Sequence, residues 1–450
     1  MDYPQHQRFG SVTDINTDNL CGLLWGSLCN EPGGSVRSCC ISRDKLIDNN
    51  GKEFNIATTN PLDILKSDQA KQLRQELLAG RKPSQCDTCW IDEDNGKESK
   101  RQIYNGFFDQ WYKNQNTTWA ENIQEDNIKL IDIQLIFGNT CNLKCRSCNP
   151  NYSSKWVEES HDRNFGEQFG ISSDAMDMND PQSKFWTDFD EWTANLGRIE
   201  IMGGEPFYVK EFRNFINNLV ESGRSKHIEI SLSTNGTILD KDFLETIIRN
   251  FREVAFSVSI DGIEDKFEYL RHPACWNEVK QNLDYFYKIH TDDAYPVVIQ
   301  LTHTVTALNI SSLVEFHKYF ERHYPEFHIW NNVAHYPKWL TPSVLPINAK
   351  QSITESVNSY QFKNKSEIDS IINYMNTELY TGDTAPHETV EVKWQTFKEQ
   401  TVGADRYREE DFRETFSELW SLIKHDFDYN SIMENISNNG YPSYGPGEFS

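Results

Sequence analysis

The sequence predicts an α/β fold: six βα units in series make a parallel sheet, open or curled into a partial (β/α)6 barrel. A small cysteine-rich N-terminal domain precedes it, and a helical C-terminal extension follows. Three observations carry this. Strand-like and helical patterns alternate from about residue 128 to about 345. Six of the ten cysteines (Cys21, Cys29, Cys39, Cys40, Cys86 and Cys89) crowd a loop-rich segment before them. Beyond about 345 the alternation stops, and acids outnumber bases about two to one. The expected domains are therefore 1–125, 126–345 and 346–450.

At 450 residues the chain is long enough for two or three domains. A net charge of -24 argues against broad nucleic-acid binding, though not against a small anionic substrate. No apolar run of membrane-spanning length occurs, and the first residues lack the charged and apolar regions of a secretory signal. Ten cysteines are too few for a disulfide scaffold and fall mostly in metal-like spacings, which fits a reduced, cytoplasmic setting.

In the N-terminal segment, the Asn30–Gly34 turn leads into Ser35–Cys40, read as a hairpin whose second strand ends in cysteines. Leu62 to Leu78 keeps helical spacing, and Gly80 stops it. A C-x2-C knuckle, Cys86 to Cys89, follows. Two cysteines near the hairpin plus the knuckle suit a four-sulfur site, for zinc or a [4Fe–4S] cluster. Cys29 and Cys40 read as spare, buried thiols.

Strands are expected at 129–137, 198–202, 227–233, 253–260, 297–305 and 327–333, with helices at 209–222, 240–251 and 276–290. In two strands one face is apolar (Ile228, Ile230, Leu232; Val254, Phe256, Val258, Ile260) and the other polar. A polar-lined interior suits a cavity for a polar ligand. Active sites of such sheets lie at the carboxyl ends of the strands. After the first strand come a helix at 152–159 and an exposed loop holding the acidic stretch 173–180. In the extension, 409–423 reads as helical and 435–450 as poorly ordered.

At the carboxyl end of the first of these strands sit Cys141, Cys145 and Cys148, spaced C-x3-C-x2-C. A loop this tight can turn three thiolates toward one point, which suits a metal or an iron–sulfur cluster. Three ligands are one too few for a cubane, and an iron left open is where a substrate or cofactor binds.

With these residues assembled, the chain resembles the radical S-adenosylmethionine superfamily over roughly residues 20 to 345. The three-cysteine loop matches that family's cluster motif. Gly203-Gly204-Glu205-Pro206 matches its GGEP signature, and Thr234-Asn235-Gly236 and Ser259-Ile260-Asp261-Gly262 close the next strands as in members with auxiliary clusters. The N-terminal pattern, Cys21-x12-Gly34-x4-Cys39 then Cys86-x2-Cys89, is similar to the twitch version of the SPASM domain, which holds one further [4Fe–4S] cluster. Two features depart from the family. Its better-known twitch domains follow the barrel, and the residue before the third motif cysteine is usually aromatic, whereas here it is Ser147.

The resemblance implies that Cys141, Cys145 and Cys148 hold a [4Fe–4S] cluster with an open iron that takes S-adenosylmethionine. Reductive cleavage then gives a 5′-deoxyadenosyl radical that abstracts hydrogen from a peptide, protein or small-molecule substrate. Cys21, Cys39, Cys86 and Cys89 would hold the auxiliary cluster, and flavodoxin or ferredoxin would donate electrons. Gly203, Gly204, Glu205 and Pro206 would approach the cofactor's amino group, the glycines letting backbone come close. Asn235, Ser257, Ser259 and Asp261 are candidates for ribose, carboxylate or substrate contacts. His303 reads as a packing histidine and Cys275 as a buried structural thiol; no catalytic residue is assigned. The competing reading is a non-catalytic, metal-stapled interaction protein that keeps the fold.

Overall fold

The computed structural model describes residues 20–94, 98–124, 128–163, 180–377 and 389–442. Its strands are β1 (Ser27–Asn30), β2 (Val36–Arg37), β3 (Asp132–Ile136), β4 (Arg198–Met202), β5 (Glu229–Thr234), β6 (Glu253–Ser259), β7 (Val297–Val305) and β8 (His328–Val333). They form one sheet in the order β2-β1-β3-β4-β5-β6-β7-β8. β1 and β2 are antiparallel, whereas β1–β3, β3–β4, β4–β5 and β7–β8 are parallel. The sheet is thus mostly parallel, and the six strands from β3 to β8 are the six that the alternation predicts.

By compactness the chain divides into two units. The first comprises Met1–Asn139, Ser172–Ser233 and Asp240–Ala255. Here β1 pairs in parallel with β3, and side chains reinforce the ladder. Ser27 Oγ donates to Asp132 at 2.6 Å, and the Asn30 amide both donates to Ile136 O (2.9 Å) and accepts from Ile136 N (3.0 Å). Helix Lys210–Glu221 buries Phe212, Phe215, Ile216 and Leu219, the i, i+3, i+4, i+7 stripe that drives a helix onto a sheet. Helix Lys241–Asn250 is capped by Asp240, which accepts from Phe243 N at 3.1 Å and pairs with Arg213 at 2.6 Å. Phe215 packs among Phe137, Phe185, Phe189 and Trp192, with ring centroids 5.5 to 6.1 Å away.

The second unit comprises Thr140–Ile171, Thr234–Leu239 and Phe256–Ser450. β7 and β8 pair over six residues, and the alternate burial of β7 places Val297, Ile299, Leu301, His303 and Val305 on the inner face. His303 stacks on Phe316 at 4.0 Å and bonds Asn331 and Asn309, a satisfied packing residue as expected. The extension shares one apolar core with residues of the βα part: Tyr269, Leu308 and Leu340 join Phe397, Phe412, Phe416 and Leu419. Its longest helix, Val390–Arg408, reaches Glu159 through Arg408 Nε at 2.9 Å. Arg163 and Lys144 also meet Glu159, at 2.8 and 3.1 Å. Burial pushes the Glu159 carboxyl up, but Arg408, Arg163 and Lys144 overcome it and hold it at about 2.

Several local expectations are corrected. The 62–78 helix is two helices, Pro61–Leu65 and Asp68–Leu78, because Asn60 and Ser67 each supply a cap. The 152–159 helix is shifted to Trp156–Asp162. The C-x2-C knuckle is a 3-10 turn, Ser84–Cys86, running into helix Asp87–Asp94. The 409–423 helix breaks into Phe412–Thr415 and Ser417–Ile423, and Glu409 itself, at φ +58, ends the preceding helix. Within 435–450, residues to Asn439 are helical, since Asp428 caps Tyr429–Asn439 and Tyr429 and Ile436 are buried. Residues 443–450, and 173–179 of the acidic stretch, lie outside the described residues. Cys275 and Cys40 are exposed, not buried; the Lys100 ammonium donates to Cys40 Sγ at 2.9 Å, so that thiol is a hydrogen-bond acceptor rather than a core methyl substitute.

Two outcomes follow from this packing. Phe215→Ala empties the centre of the aromatic cluster and should cost about 3–5 kcal/mol, read from the urea midpoint; a loss under about 1 kcal/mol contradicts the packing. For Glu159 the folded-state value is depressed, so its stabilisation is present above about 4.5 and is lost as pH falls from there toward about 2. Glu159→Gln should therefore cost about 3–5 kcal/mol at neutral pH by stranding three buried cations. It should also flatten the acid limb of stability against pH, measured by denaturant titration from pH 6 to pH 2.

Candidate metal centres

Residues 140–150, in the second unit, form a loop without regular helix or strand. It is held from several sides. Lys144 N donates to His272 O at 2.7 Å and Arg146 N to Leu270 O at 2.8 Å. Ser153 Oγ donates to Leu143 O, and Trp156 Nε1 to Cys145 O at 2.9 Å. The thiols of Cys141, Cys145 and Cys148 lie within one another's fields. Burial pushes the Cys145 thiol up to about 11 and Cys148 higher still; Arg271 opposes the rise at both. Thiols that disfavour bare ionisation, two of which have N–H donors at their sulfurs, fit a bound cationic centre, which stabilises the thiolate outright. Those donors are Leu143 N (3.4 Å) and Asn235 Nδ2 (4.0 Å) toward Cys141 Sγ, and Arg271 Nη1 (3.9 Å) toward Cys145 Sγ. Hydrogen bonds to sulfur are one of the means by which proteins tune iron–sulfur clusters.

Of the polar strand-end residues, Asn235 and Asp261 serve this loop, whereas Ser257 and Ser259 do not contact it among the hydrogen bonds described. Asn235 donates to Asn142 Oδ1 at 2.8 Å and accepts from Thr237 N and Oγ1 at 3.0 and 2.6 Å. Asp261, 3% exposed, pairs with Arg271 at 2.8 Å and accepts from Thr304 N at 2.8 Å. Ser257 Oγ accepts from Gln300 Nε2 at 2.8 Å, and Ser259 is half-buried at the end of β6. Ser147 is half-buried in the cysteine loop.

The GGEP turn follows β4 in the first unit. Gly203 and Gly204 take φ +75 and +54, and a Cβ on Gly203 would lie 2.4 Å from Ile136 Cγ2, so both space and backbone demand glycine there. Glu205 is fully buried and accepts from Phe207 N at 3.2 Å, capping the turn Pro206–Tyr208.

Three residues that sequence reasoning passed over hold the cysteine loop. Trp156 and Arg271 have the contacts given above. Arg146, inside the motif itself, is 4% exposed and pairs with Asp405 (2.7 Å) and Glu410 of the extension while lying 3.6 Å over the Tyr269 ring. The available signal was an arginine between two motif cysteines; nothing local named its partners.

The second set of thiols lies in the first unit. Cys21 precedes a short helical turn, Leu23–Gly26, and is pinned by Asn105, which accepts from Gly22 N at 2.8 Å and donates to Leu20 O at 3.0 Å. Cys39 follows β2, Cys86 ends the 3-10 turn and Cys89 lies on the helix after it. Arg43 N donates to Gln85 O at 3.0 Å, tying the hairpin arm to the knuckle. Cys21 lies in the field of all three others, and Cys86 in that of Cys39 and Cys89. Burial is the main cause of the rise at each, to about 11 for Cys39 and about 12 for Cys86. The backbone N–H of Arg101 and the Ser99 hydroxyl pull Cys89 the other way. All four expected residues are thus brought into one neighbourhood from three separate segments, and none of the ten cysteines forms a disulfide. Among the described residues, no three His, Cys, Asp or Glu side chains close to the geometry of a metal site. The sulfurs share a neighbourhood without converging. No helix among them is long and apolar enough to cross a membrane.

Comparison with known proteins adds the following. GTP 3′,8-cyclase of Synechocystis sp. is 26% identical over 145 residues, covering 32% of this chain and only 38% of that protein. The solved structure of anSMEcpe with bound AdoMet is 20% identical, covering 45% of this chain and 51% of that one at a TM-score of 0.31. Streptococcus suis SuiB is 12% identical, covering 65% and 58% at a TM-score of 0.34. At such TM-scores these two structures carry no further inference. The Radical SAM superfamily model matches residues 135–319, which include both the three-cysteine loop and the GGEP turn. That match supports a Radical SAM superfamily domain in this part of the chain.

Proposed function

We propose that the chain is a radical S-adenosylmethionine enzyme. The reading rests chiefly on the three-cysteine loop: neighbouring thiols, one buried and two half-buried, with N–H donors at the sulfurs of Cys141 and Cys145, inside the stretch that matches the family. Cys141, Cys145 and Cys148 would ligate a [4Fe–4S] cluster with one open iron, and S-adenosylmethionine would take that position. When bound, the pair supplies reductive cleavage to a 5′-deoxyadenosyl radical, which abstracts hydrogen from a peptide, protein or small-molecule substrate.

The chain's own residues would then position and shield. Asn235 fixes Asn142 and donates toward Cys141, and Asp261 orients Arg271 toward Cys145, so both act through the loop. Trp156 closes one side of the loop against water. Gly203, Gly204, Glu205 and Pro206 are assigned to the cofactor's methionine end, where the glycine backbone permits close approach. Ser257 and Ser259 are assigned to ligand contacts on the polar strand face. Residues 1–125 form a twitch-like domain in which Cys21, Cys39, Cys86 and Cys89 ligate an auxiliary [4Fe–4S] cluster. Residues 126–345 form the partial barrel and 346–450 the extension. A flavodoxin or ferredoxin is the electron donor, and the setting is cytoplasmic.

Anaerobic reconstitution with iron and sulfide should give about eight irons per chain, four for each cluster. Dithionite should then release 5′-deoxyadenosine from S-adenosylmethionine. Cys145→Ala should abolish that release, while Cys86→Ala should lower the iron content and leave some uncoupled cleavage. Zinc in place of iron, with no cleavage, would sink the proposal.

A further inference from the structure

Beside Cys148, on the side where the extension covers the loop, lies a cleft with about 530 Å³ of empty space, open solvent included. Its walls include Asn149 and Trp156 from the cysteine loop side and Trp339, Gln400 and Thr401 from beyond β8. Trp339 Nε1, Gln400 Nε2 and Thr401 Oγ1 are all shielded from solvent and have no hydrogen-bond partner. Gln400 is 2% exposed, Thr401 1% and Trp339 8%. Gln400 Oε1 is already used, accepting from Arg163 Nη2 at 2.8 Å, so its amide N–H2 is committed to face elsewhere. Arg408, outside the lining but 4.9 Å over the Trp156 ring, carries two buried nitrogens, Nη1 and Nη2, with no partner, and the cleft's own guanidiniums are those of Arg146 and Arg163. A buried donor left unmade costs about 1–3 kcal/mol, and several such donors around one cleft call for an acceptor.

Charge points the same way. Lys144, Arg163 and Arg408 converge on Glu159, and Arg146 is shared by Asp405 and Glu410, with His272 Nδ1 2.7 Å from Glu410. Four permanent cations thus face three carboxylates. These carboxylates do not satisfy the N–H and O–H groups of Trp339, Gln400 and Thr401.

We propose that this cleft is an oxyanion-binding site built by the C-terminal extension, taking the carboxylate or phosphate group of a small ligand. Its unpartnered donors are of the kind that recognise such groups, an amide, an indole and a hydroxyl, and two guanidiniums, of Arg146 and Arg163, lend the lining positive charge. The inference stands on these contacts and does not depend on the radical reading.

Calorimetric titration of the full chain, prepared anaerobically and without S-adenosylmethionine, tests it with inorganic phosphate and with acetate at constant ionic strength. Saturable binding of one equivalent of either anion is expected, and the better of the two identifies the group. Thr401→Val, close to the native shape, should weaken that binding about tenfold while leaving the melting temperature near the parent's; Gln400→Met should weaken it similarly at a lower melting temperature, because it also removes the acceptor of Arg163 Nη2. Because the two variants are independent, failure of one to fold leaves the other to decide. Binding equal to that of chloride, unchanged binding in the folded variants, or no saturable heat with either anion overturns the proposal. None of these readouts involves cleavage, so loss of the anion site and loss of the radical chemistry are told apart.

Discussion

The contact between Arg146 and Asp405 fixes more of the second unit than any other. Arg146 sits between two cysteines of the motif loop, and its partner lies 259 residues further along the chain. Both side chains are almost wholly buried, and Asp405 also accepts from Tyr269 Oη (2.7 Å), Phe412 N (2.7 Å) and Tyr429 Oη (2.8 Å). A buried ion pair is weak evidence of net stability, because desolvation offsets much of the attraction. It is strong in what it forbids: any placement of the loop that separates the two leaves a bare charge in the core. Burial raises the Asp405 carboxyl and Arg146 opposes that rise, so the carboxylate needs this guanidinium beside it. The loop is therefore positioned from the extension as well as from the strand that leads into it.

The same logic explains how much could be read in the sequence. β4 to β7 were legible because each strand alternates apolar and polar residues between helices with a 3.6-residue stripe, and burial follows that alternation; β3, buried at every position, was legible as an apolar run instead. The three-cysteine loop and the GGEP turn were legible because their chemistry is compressed into a few adjacent residues. β1 was legible only as the first arm of the hairpin that it forms with β2; its parallel pairing with β3, reinforced by the Asn30 amide and the Ser27 hydroxyl, was not, because a four-residue strand leaves no periodic signal. Helix Val390–Arg408 escaped for the opposite reason. It is buried on several sides, but with Thr396, Gln400, Thr401, Asp405 and Arg408 among its inward residues, so no apolar stripe marks it.

Which cysteines belong together was legible by spacing, and the structure adds the physical separation between used and spare thiols. Cys39 and Cys40 are adjacent in sequence and differ in surroundings. Cys39 lies in the field of Cys89 and near Cys21, whereas Cys40 is exposed and meets Lys100. The chain turns here, Ser42 N donating to Cys39 O at 3.1 Å, and the turn leaves Cys39 half-buried beside the other thiols and Cys40 exposed. Cys29, buried beside its own strand, bonds only Asn30 O at 3.8 Å among the hydrogen bonds described.

A fixed loop and a rigid extension have a joint consequence. Arg408 closes the helix whose interior holds Gln400, Thr401 and Asp405, and the same helix buries Gly403 against Arg163, where a Cβ would stand 3.0 Å from Nη2. One helix thus sets the loop, through Asp405, and the orphaned donors of the cleft, through Gln400 and Thr401. Its polar face is spent inside the protein. A helix so costly to bury is retained only if its polar groups find partners, and those of Asp405 and the Gln400 carbonyl oxygen have them within the chain. The donors of Gln400 and Thr401 do not, which is the physical reason to look for their partner in a ligand.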